Sequence, residues 1–167
     1  MLYIKPQFFV LGGKKMVKEI LVYPKDKDVL TQKSEEVGDI NEEIKNIIED
    51  LNDTLNNSTG CGISAIQIGI PKRICIIKYN NENIVMINPK ITNTKGEVYF
   101  REGCLSAPGF YTNVKRAQKV WCSYLDENGR EKEIAQGGLC SVIIQHELDH
   151  FDGWCEVFNE VKEDNKE

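Results

Sequence analysis

Residues 137–151 read Gly-Gly-Leu-Cys-Ser-Val-Ile-Ile-Gln-His-Glu-Leu-Asp-His-Phe, and this stretch carries the strongest structural signal in the chain. Two glycines open it, and the apolar residues that follow predict a helix with one buried face. We predict that this helix ends near Phe151, because Gly153 is a typical stop signal just beyond a helix.

The same helix contains the motif H-E-x-x-H. Both histidines of the chain lie in it, at His146 and His150. Residues four apart on a helix share a face, so both imidazoles can reach one metal ion. Glu147 then lies where its carboxylate can take a proton from a water activated by that metal. The motif therefore predicts a catalytic metal site.

Two histidines do not complete such a site, and the third ligand must be a carboxylate or a thiolate. Glu156 and Glu160 follow the helix and are the carboxylate candidates. Cys104 is the thiolate candidate, in Glu102-Gly103-Cys104-Leu105-Ser106, where a predicted strand ends in a bend that contains glycine. The residues alone leave both alternatives open.

An amphipathic helix is predicted in the N-terminal half. Asp39 or Asn41 can cap it, and the run 56–60 ends it. Its apolar residues recur in steps of three and four, as one stripe of a helix requires. They are Ile40, Ile44, Ile47, Ile48, Leu51 and Leu55.

Between the two helices the pattern predicts short antiparallel strands. Residues 73–79 and 83–88 form one predicted hairpin, 97–101 a further strand, and 119–125 with 130–135 a second hairpin. Turns rather than helical crossovers join them, so the fold class is α+β. The predicted architecture is a set of short strands around the C-terminal metal-binding helix, with the amphipathic helix preceding them.

Composition predicts one domain of ordinary globular character. The chain has 167 residues, 41% hydrophobic and 28% charged. We expect a domain at 16–158, preceded by an extension at 1–15 and followed by a charged tail at 159–167. The net charge of −5 without a basic cluster argues against nucleic-acid binding. No apolar run is long enough to span a bilayer.

Six cysteines are spread through the chain without a C-x-x-C pair. No secretory signal is evident, so we expect reduced thiols in a cytoplasmic protein. Most are interpreted as small buried hydrophobic residues, with Cys104 as the exception.

Three segments together resemble the peptide deformylases. Residues 60–67, Gly-Cys-Gly-Ile-Ser-Ala-Ile-Gln, resemble their G-x-G-(aliphatic)-A-A-x-Q box. Residues 102–106 match E-G-C-L-S, and residues 145–150 match Q-H-E-x-D-H. The resemblance extends over roughly 16–158. It departs from the family pattern at Ile63, Ser64 and Phe151, where Leu, Ala and Leu are usual.

The resemblance implies hydrolysis of the N-formyl group of formyl-methionine on new polypeptides, with release of formate. It implies one divalent metal on Cys104, His146 and His150, with Fe(II) favoured and Zn(II), Ni(II) or Co(II) compatible. Glu147 would be the acid/base, and Gln67 with the backbone N–H of Leu105 would bind the formyl oxygen.

Substrate binding is implied by resemblance as well. The backbone at Gly62 and Gly103 would hold the peptide as an added strand, and Val142 with Ile143 would contact the methionine side chain. An ion pair between Glu102 and Arg116 would brace the loop. The expected partners are N-formylmethionyl nascent chains, with transient ribosome contact, and the expected state is a monomer.

Two other functions fit the motif. A zinc peptidase would take its third ligand from a C-terminal glutamate rather than from Cys104. A non-enzymatic protein that binds metal and peptide N-termini would have no need for Glu147 beside an open site.

Overall fold

The computed structural model describes residues 16–161. A four-residue helix α1, Lys27–Leu30, precedes the long helix α2, Glu42–Asn56. The side chain of Asn41 caps α2 by accepting a hydrogen bond from the backbone N–H of Ile44 at 3.1 Å. The amphipathic helix predicted from the apolar stripe is therefore confirmed, and Asn41 rather than Asp39 is its cap.

A five-stranded antiparallel sheet forms the centre of the fold, in the order β1-β2-β3-β4-β5. Each strand pairs with its neighbour in sequence, which is the topology of consecutive hairpins. The strands are β1 Gly62–Ser64, β2 Ile74–Tyr79, β3 Glu82–Cys104, β4 Ala107–Leu125 and β5 Glu131–Gly137. The predicted α+β class and both predicted hairpins are confirmed.

Two strands are much longer than the sequence pattern predicts. β3 has 23 residues and β4 has 19, and they pair from Ile87↔Leu125 out to Cys104↔Ala107. Pro89 lies inside β3 at a register shift, where a bulge tolerates the missing N–H. The outer part of this ribbon is mostly exposed, so its residues lack the alternation of apolar and polar side chains that identifies a strand.

The sheet is covered by one long helix on each face. In β2, Ile74 and Ile76 pack in a cluster with α2, whereas Cys75 and Ile77 pack in a second cluster beneath the C-terminal helix. Successive residues of a strand point to opposite faces, so β2 is the buried centre of a three-layer arrangement.

The C-terminal helix α3, Gly138–Phe151, begins and ends where the sequence predicts. Gln145 fixes it to the sheet. The side-chain oxygen of Gln145 accepts from the N–H of Ala117 in β4 at 2.8 Å, and its amide nitrogen donates to the carbonyl of Ala117 at 3.0 Å. This pair of hydrogen bonds sets the rotation of α3, and hence the direction in which the next residue, His146, points.

A single-turn 3-10 helix, Glu156–Glu160, follows α3. The predicted extension 1–15 and all but the first three residues of the predicted tail lie outside the described residues. Within the described part of the chain, no helix combines the length and apolar character that crossing a membrane requires.

Candidate metal centre

Cys104, His146 and His150 converge at one point between the sheet and α3. Cys104 is the last residue of β3, beside the tight turn that leads to Ala107 of β4. Its Sγ lies 3.4 Å from Nε2 of His150. The metal-ligating atoms of the three residues, together with that of Cys155, all lie within 4.8 Å of one another. One ion can therefore contact all of them.

A buried ionic network orients His146. Nδ1 of His146 lies 2.9 Å from Oε2 of Glu102. Glu102 in turn accepts two hydrogen bonds from Arg116, at 2.6 and 2.9 Å, and Arg116 donates a third to Asp149 at 2.6 Å. The bond at Nδ1 leaves Nε2 of His146 free to ligate, and such carboxylate partners raise the basicity of a ligating imidazole.

Apolar packing, rather than a carboxylate partner, surrounds the other side of the second imidazole. His150 is fully buried, and its Nδ1 has no hydrogen-bond partner among residues 16–161. The centre of the Phe158 ring lies 6.0 Å from that of His150, and the Tyr23 ring stacks on Phe158 with a centre-to-centre distance of 4.5 Å.

The electrostatics of these residues fit a bound cation. Burial lowers the pKa of His146, but the hydrogen bond that His146 donates to Glu102 and the nearby carboxylates outweigh it and raise that pKa to about 9. Burial lowers the pKa of His150, which keeps this ring neutral, the form that binds metal. The adjacent Cys155 thiol and burial raise the pKa of Cys104, so ionisation of this thiol requires a compensating cation. The donor set thus fits a divalent metal.

Glu147 is buried beside these residues and points toward a cavity. Its Oε2 accepts a hydrogen bond of 2.7 Å from the hydroxyl of Ser64. Burial raises the pKa of Glu147, against the opposing effects of His146 and Ser64. A side chain at Gly62 would collide with Oε1 of Glu147 and crowd Ile143, so this glycine is required by close approach.

Gln67 reaches the same point from a 3-10 helix, Ala65–Ile68. It is 1% exposed. Its side-chain nitrogen donates to the hydroxyl of Ser106 at 3.1 Å and lies 3.6 Å from Sγ of Cys104. Its side-chain oxygen accepts from the N–H of Ser64 at 2.9 Å. The amide is therefore held rigidly beside the candidate ligand.

A cavity of about 490 Å³ opens onto these groups. Its walls combine the candidate acid/base and ligands with glycines and apolar side chains. All the residues predicted to bind substrate or to act on it line this cavity, namely Gly62, Gln67, Gly103, Leu105, Val142, Ile143 and Glu147.

The carboxylate candidates for the third ligand lie elsewhere. Glu160 accepts a hydrogen bond from Thr112 at 2.9 Å, and Glu156 accepts one from Asn159 at 3.1 Å. Neither belongs to the group of ligand atoms that contains both histidines. The structure thus brings Cys104, and not a C-terminal glutamate, to the pair.

Three residues of the site are not among those predicted from sequence. Asp149 bonds Arg116, Ser64 bonds Glu147, and Cys155 lies among the ligand atoms. The sequence does indicate the first two as site residues, since Asp149 lies inside the H-E-x-x-H segment and Ser64 departs from the family pattern. It gives no such indication for Cys155, because a lone cysteine in a loop resembles any buried thiol.

Known proteins provide an independent comparison. The family model described as polypeptide deformylase matches residues 17–166. The chain is 41% identical over 142 residues to a peptide deformylase of Thermodesulfovibrio yellowstonii, covering 82% of this chain and 85% of that protein. It is 38% identical over 144 residues to one of Aquifex aeolicus, covering 83% and 84% respectively.

Solved structures agree with the sequence comparison. The fold matches a peptide deformylase from Legionella pneumophila with a TM-score of 0.80 and 36% identity, covering 89% of this chain and 87% of that one. It matches one from Synechococcus elongatus in complex with actinonin, again at 0.80, with 34% identity and coverage of 90% and 82%. The resemblance inferred from the three sequence segments is confirmed, and the chain belongs to the polypeptide deformylase family.

Proposed function

We propose that this chain removes the N-formyl group from the N-terminal formyl-methionine of newly synthesised polypeptides and releases formate, using a metal held by Cys104, His146 and His150. One observation carries the proposal. A thiol and two imidazoles converge within ligating distance of one point, and a buried carboxylate, Glu147, flanks them at the floor of an open cavity.

The protein's own contribution to the chemistry is proton transfer and positioning. A bound divalent ion supplies Lewis acidity that activates water as a nucleophile. Glu147 accepts a proton from the attacking water and later delivers one to the departing amine, from a carboxylate that Ser64 holds at 2.7 Å. Its raised pKa makes the carboxylate a stronger base and so favours the first of these transfers.

The formyl oxygen gains negative charge during attack and requires donors. We assign these to the side-chain amide of Gln67 and the backbone N–H of Leu105, which line the same cavity. Each such donor is worth about 3–4 kcal/mol of barrier. Gln67 suits this role because its amide is already fixed, so little reorganisation is needed when charge develops.

The substrate backbone binds along β1. This strand is at the edge of the sheet, paired with β2 on one side, so its other side can accept an added strand. Gly62 and Gly103 both line the cavity, and glycine permits close backbone approach. The methionine side chain lies against Val142 and Ile143, one turn before His146.

The remaining assignments follow from the family. We propose Fe(II) as the resident metal because the family resemblance favours it; two imidazoles and a thiolate also suit Zn(II), Ni(II) and Co(II). We propose that residues 16–158 form the catalytic unit, and that it acts in the cytoplasm as a monomer on nascent chains in transient contact with the ribosome.

Formate release tests the reaction directly. Protein prepared without oxygen and loaded with Fe(II) or Ni(II) is expected to release formate from formyl-Met-Ala-Ser. Glu147→Ala should lower kcat by about 10²–10⁴-fold, which is the typical contribution of a positioned acid/base, and should leave the metal content unchanged. Glu97→Ala, at an exposed carboxylate on β3, is the matched control. Metal-loaded native protein that released no formate would refute the proposed function.

The choice of third ligand separates this function from that of a zinc peptidase. Cys104→Ala is expected to lose metal, measured by elemental analysis after dialysis against a chelator. Glu156→Ala and Glu160→Ala are expected to retain it, because both side chains bond elsewhere. The reverse pattern would favour the peptidase.

A further inference from the structure

Two thiols lie close together at the candidate metal centre, and one of them faces the cavity. Sγ of Cys104 and Sγ of Cys155 lie within 4.8 Å of each other and of the ligand nitrogens of His146 and His150. Cys104 lines the cavity. Cys155, which follows α3 by four residues, is 1% exposed and packs in a buried apolar cluster against which Cys104 also lies.

The proposed function does not use the thiol of Cys155. The three assigned ligands leave one tetrahedral position, and that position must stay open for water. Cys155 is therefore a neighbour of the centre with no role in the metal chemistry. The other cysteines that are exposed by 1% or less, Cys75 and Cys122, lie in a different apolar cluster and outside the group of ligand atoms. The position of Cys155 beside Cys104 thus calls for an explanation that burial alone does not give.

Cys104 is the thiol of this pair that a small oxidant can reach. A cysteine that ligates a metal is a thiolate, which is the form that peroxides attack. Cys104 also faces a cavity of about 490 Å³, which a molecule as small as hydrogen peroxide can enter. Oxidation of a thiolate first gives a sulfenic acid, which proceeds to irreversible sulfinic and sulfonic acids unless a second thiol condenses with it. Cys155 is the thiol placed to do so.

We propose that Cys155 is a resolving thiol, which forms a reversible disulfide with Cys104 after a hydroperoxide has oxidised that ligand. The inference rests on the metal centre of the proposed function, and it leaves the fourth coordination position of the reduced protein open to water. In the first step an oxygen of hydrogen peroxide bonds to Sγ of Cys104, the O–O bond breaks, and hydroxide leaves. In the second step Sγ of Cys155 attacks Sγ of Cys104, and the sulfenic oxygen leaves as water with the Cys155 proton. Counted from two protonated thiols, one peroxide yields one disulfide and two waters, so the sulfurs lose two electrons and the peroxide gains them.

The disulfide removes a metal ligand but preserves its sulfur. The two sulfurs must move into bonding distance, so Cys104 leaves the metal and two imidazoles remain, which bind an ion weakly. A dithiol reductant reverses the reaction and restores the ligand. Cys61 also lines the cavity, but it lies outside the group of ligand atoms that holds the pair. The structure therefore favours Cys155 over Cys61 as the partner of an oxidised Cys104.

Thiol counting and mass spectrometry test the inference without relying on turnover. The protein is loaded with Zn(II), which has no redox chemistry of its own, and treated with a small excess of hydrogen peroxide. The six free thiols should fall to four, the intact mass should fall by two hydrogen atoms, and peptide mapping should join Cys104 to Cys155. Dithiothreitol should restore all six thiols and the binding of Zn(II). In Cys155→Ala, Cys104 should instead gain two or three oxygen atoms, and dithiothreitol should not reverse the change.

Two control variants separate Cys155 from the other thiols. Cys122→Ala removes an equally buried cysteine from a different cluster, and Cys61→Ser removes the other thiol that lines the cavity. Both should form the same disulfide between Cys104 and Cys155 as the native protein. Cys155→Ser repeats the test if the alanine variant does not fold.

The opposite results would overturn the resolving role of Cys155. One is sulfinic acid at Cys104 of the native protein to the same extent as in Cys155→Ala, and another is a disulfide that joins Cys104 to Cys61. Formate release by the reduced native protein, measured in parallel, keeps the two proposals apart. Release of formate without the disulfide would refute the resolving thiol alone, whereas a metal-loaded protein that released none would refute the proposed function.

Discussion

The two histidines of α3 occupy different environments although one helical turn separates them. His146 is held by a carboxylate, Glu102, which Arg116 and Asp149 support through buried ionic hydrogen bonds. His150 is held by apolar packing, with Phe158 nearby and no hydrogen-bond partner for Nδ1 within residues 16–161. One ligand is thus oriented by charge and the other by shape.

The difference indicates that the two histidines contribute unequally to metal affinity. Negative charge at Glu102 makes the site at His146 attractive to a cation, as the raised pKa of that imidazole shows. The apolar side around His150 excludes water from the interior. We expect the charged side to control metal affinity strongly, and the packed side to control it weakly.

The largest effect is expected from breaking the charged side. Glu102→Gln leaves Arg116 buried with only Asp149 as an anionic partner, and should lower the free energy of unfolding by about 3 kcal/mol. It also weakens the support of His146, so metal affinity should fall by roughly 10–100-fold. Urea unfolding of the metal-free protein measures the first quantity, and chelator competition the second.

A matched control lies on the same strand. Glu97 pairs with Lys115 on the exposed part of the β3–β4 ribbon, so Glu97→Gln removes the same charge from a solvated site. Little change in unfolding or metal affinity is expected. If both variants lost stability and metal affinity equally, the change in net charge rather than the loss of the buried network would explain the effect of Glu102→Gln.

A smaller effect is expected from loosening the packed side. Phe158→Leu removes the stacking on Tyr23 and should lower the free energy of unfolding by about 1–2 kcal/mol. Metal should dissociate faster, but by less than roughly 10-fold, because His150 keeps its place on the helix. Stopped-flow release to a chelator measures this rate. A loss of affinity as large as that of Glu102→Gln would abolish the distinction between the two sides.

The smallest effect is expected at Ser64, whose side-chain hydrogen bonds go to Glu147 rather than to either histidine. Ser64→Ala removes the 2.7 Å hydrogen bond to Glu147, and resembling family members usually have alanine there. Stability should change by no more than about 1.5 kcal/mol. We expect kcat to fall a few-fold while KM and metal content stay constant. A change in metal retention instead would place Ser64 in support of the ligands.

Sequence predicted the two long helices, the hairpins and the fold class because each depends on a local pattern. The stripe from Ile44 to Leu55 and the H-E-x-x-H spacing both report on one face of one helix. In the outer halves of β3 and β4 only residues 97–101 were predicted as a strand, and they form part of β3. The rest could not be predicted, since a ribbon exposed on both faces has little hydrophobic alternation. The three-residue strand β1 is likewise too short to produce a pattern.

The site was predictable only as far as motifs extend. The pair of histidines followed from spacing, but the choice of Cys104 over Glu156 and Glu160 needed either a family resemblance or coordinates. The hydrogen bond of Asp149 to Arg116 and the position of Cys155 beside the candidate ligands depend on contacts between distant elements, which no local spacing encodes.

The amino-acid type at Gln145 is required by the backbone of β4 that it contacts rather than by a role in catalysis. Its amide satisfies both the N–H and the carbonyl of Ala117, imitating the peptide group of an adjoining chain. Glutamate could offer only acceptors at neutral pH, and leucine could offer neither function. These two hydrogen bonds therefore fix the rotation of α3 relative to the sheet. Only a side chain with both a donor and an acceptor can keep the next residue, His146, in its orientation.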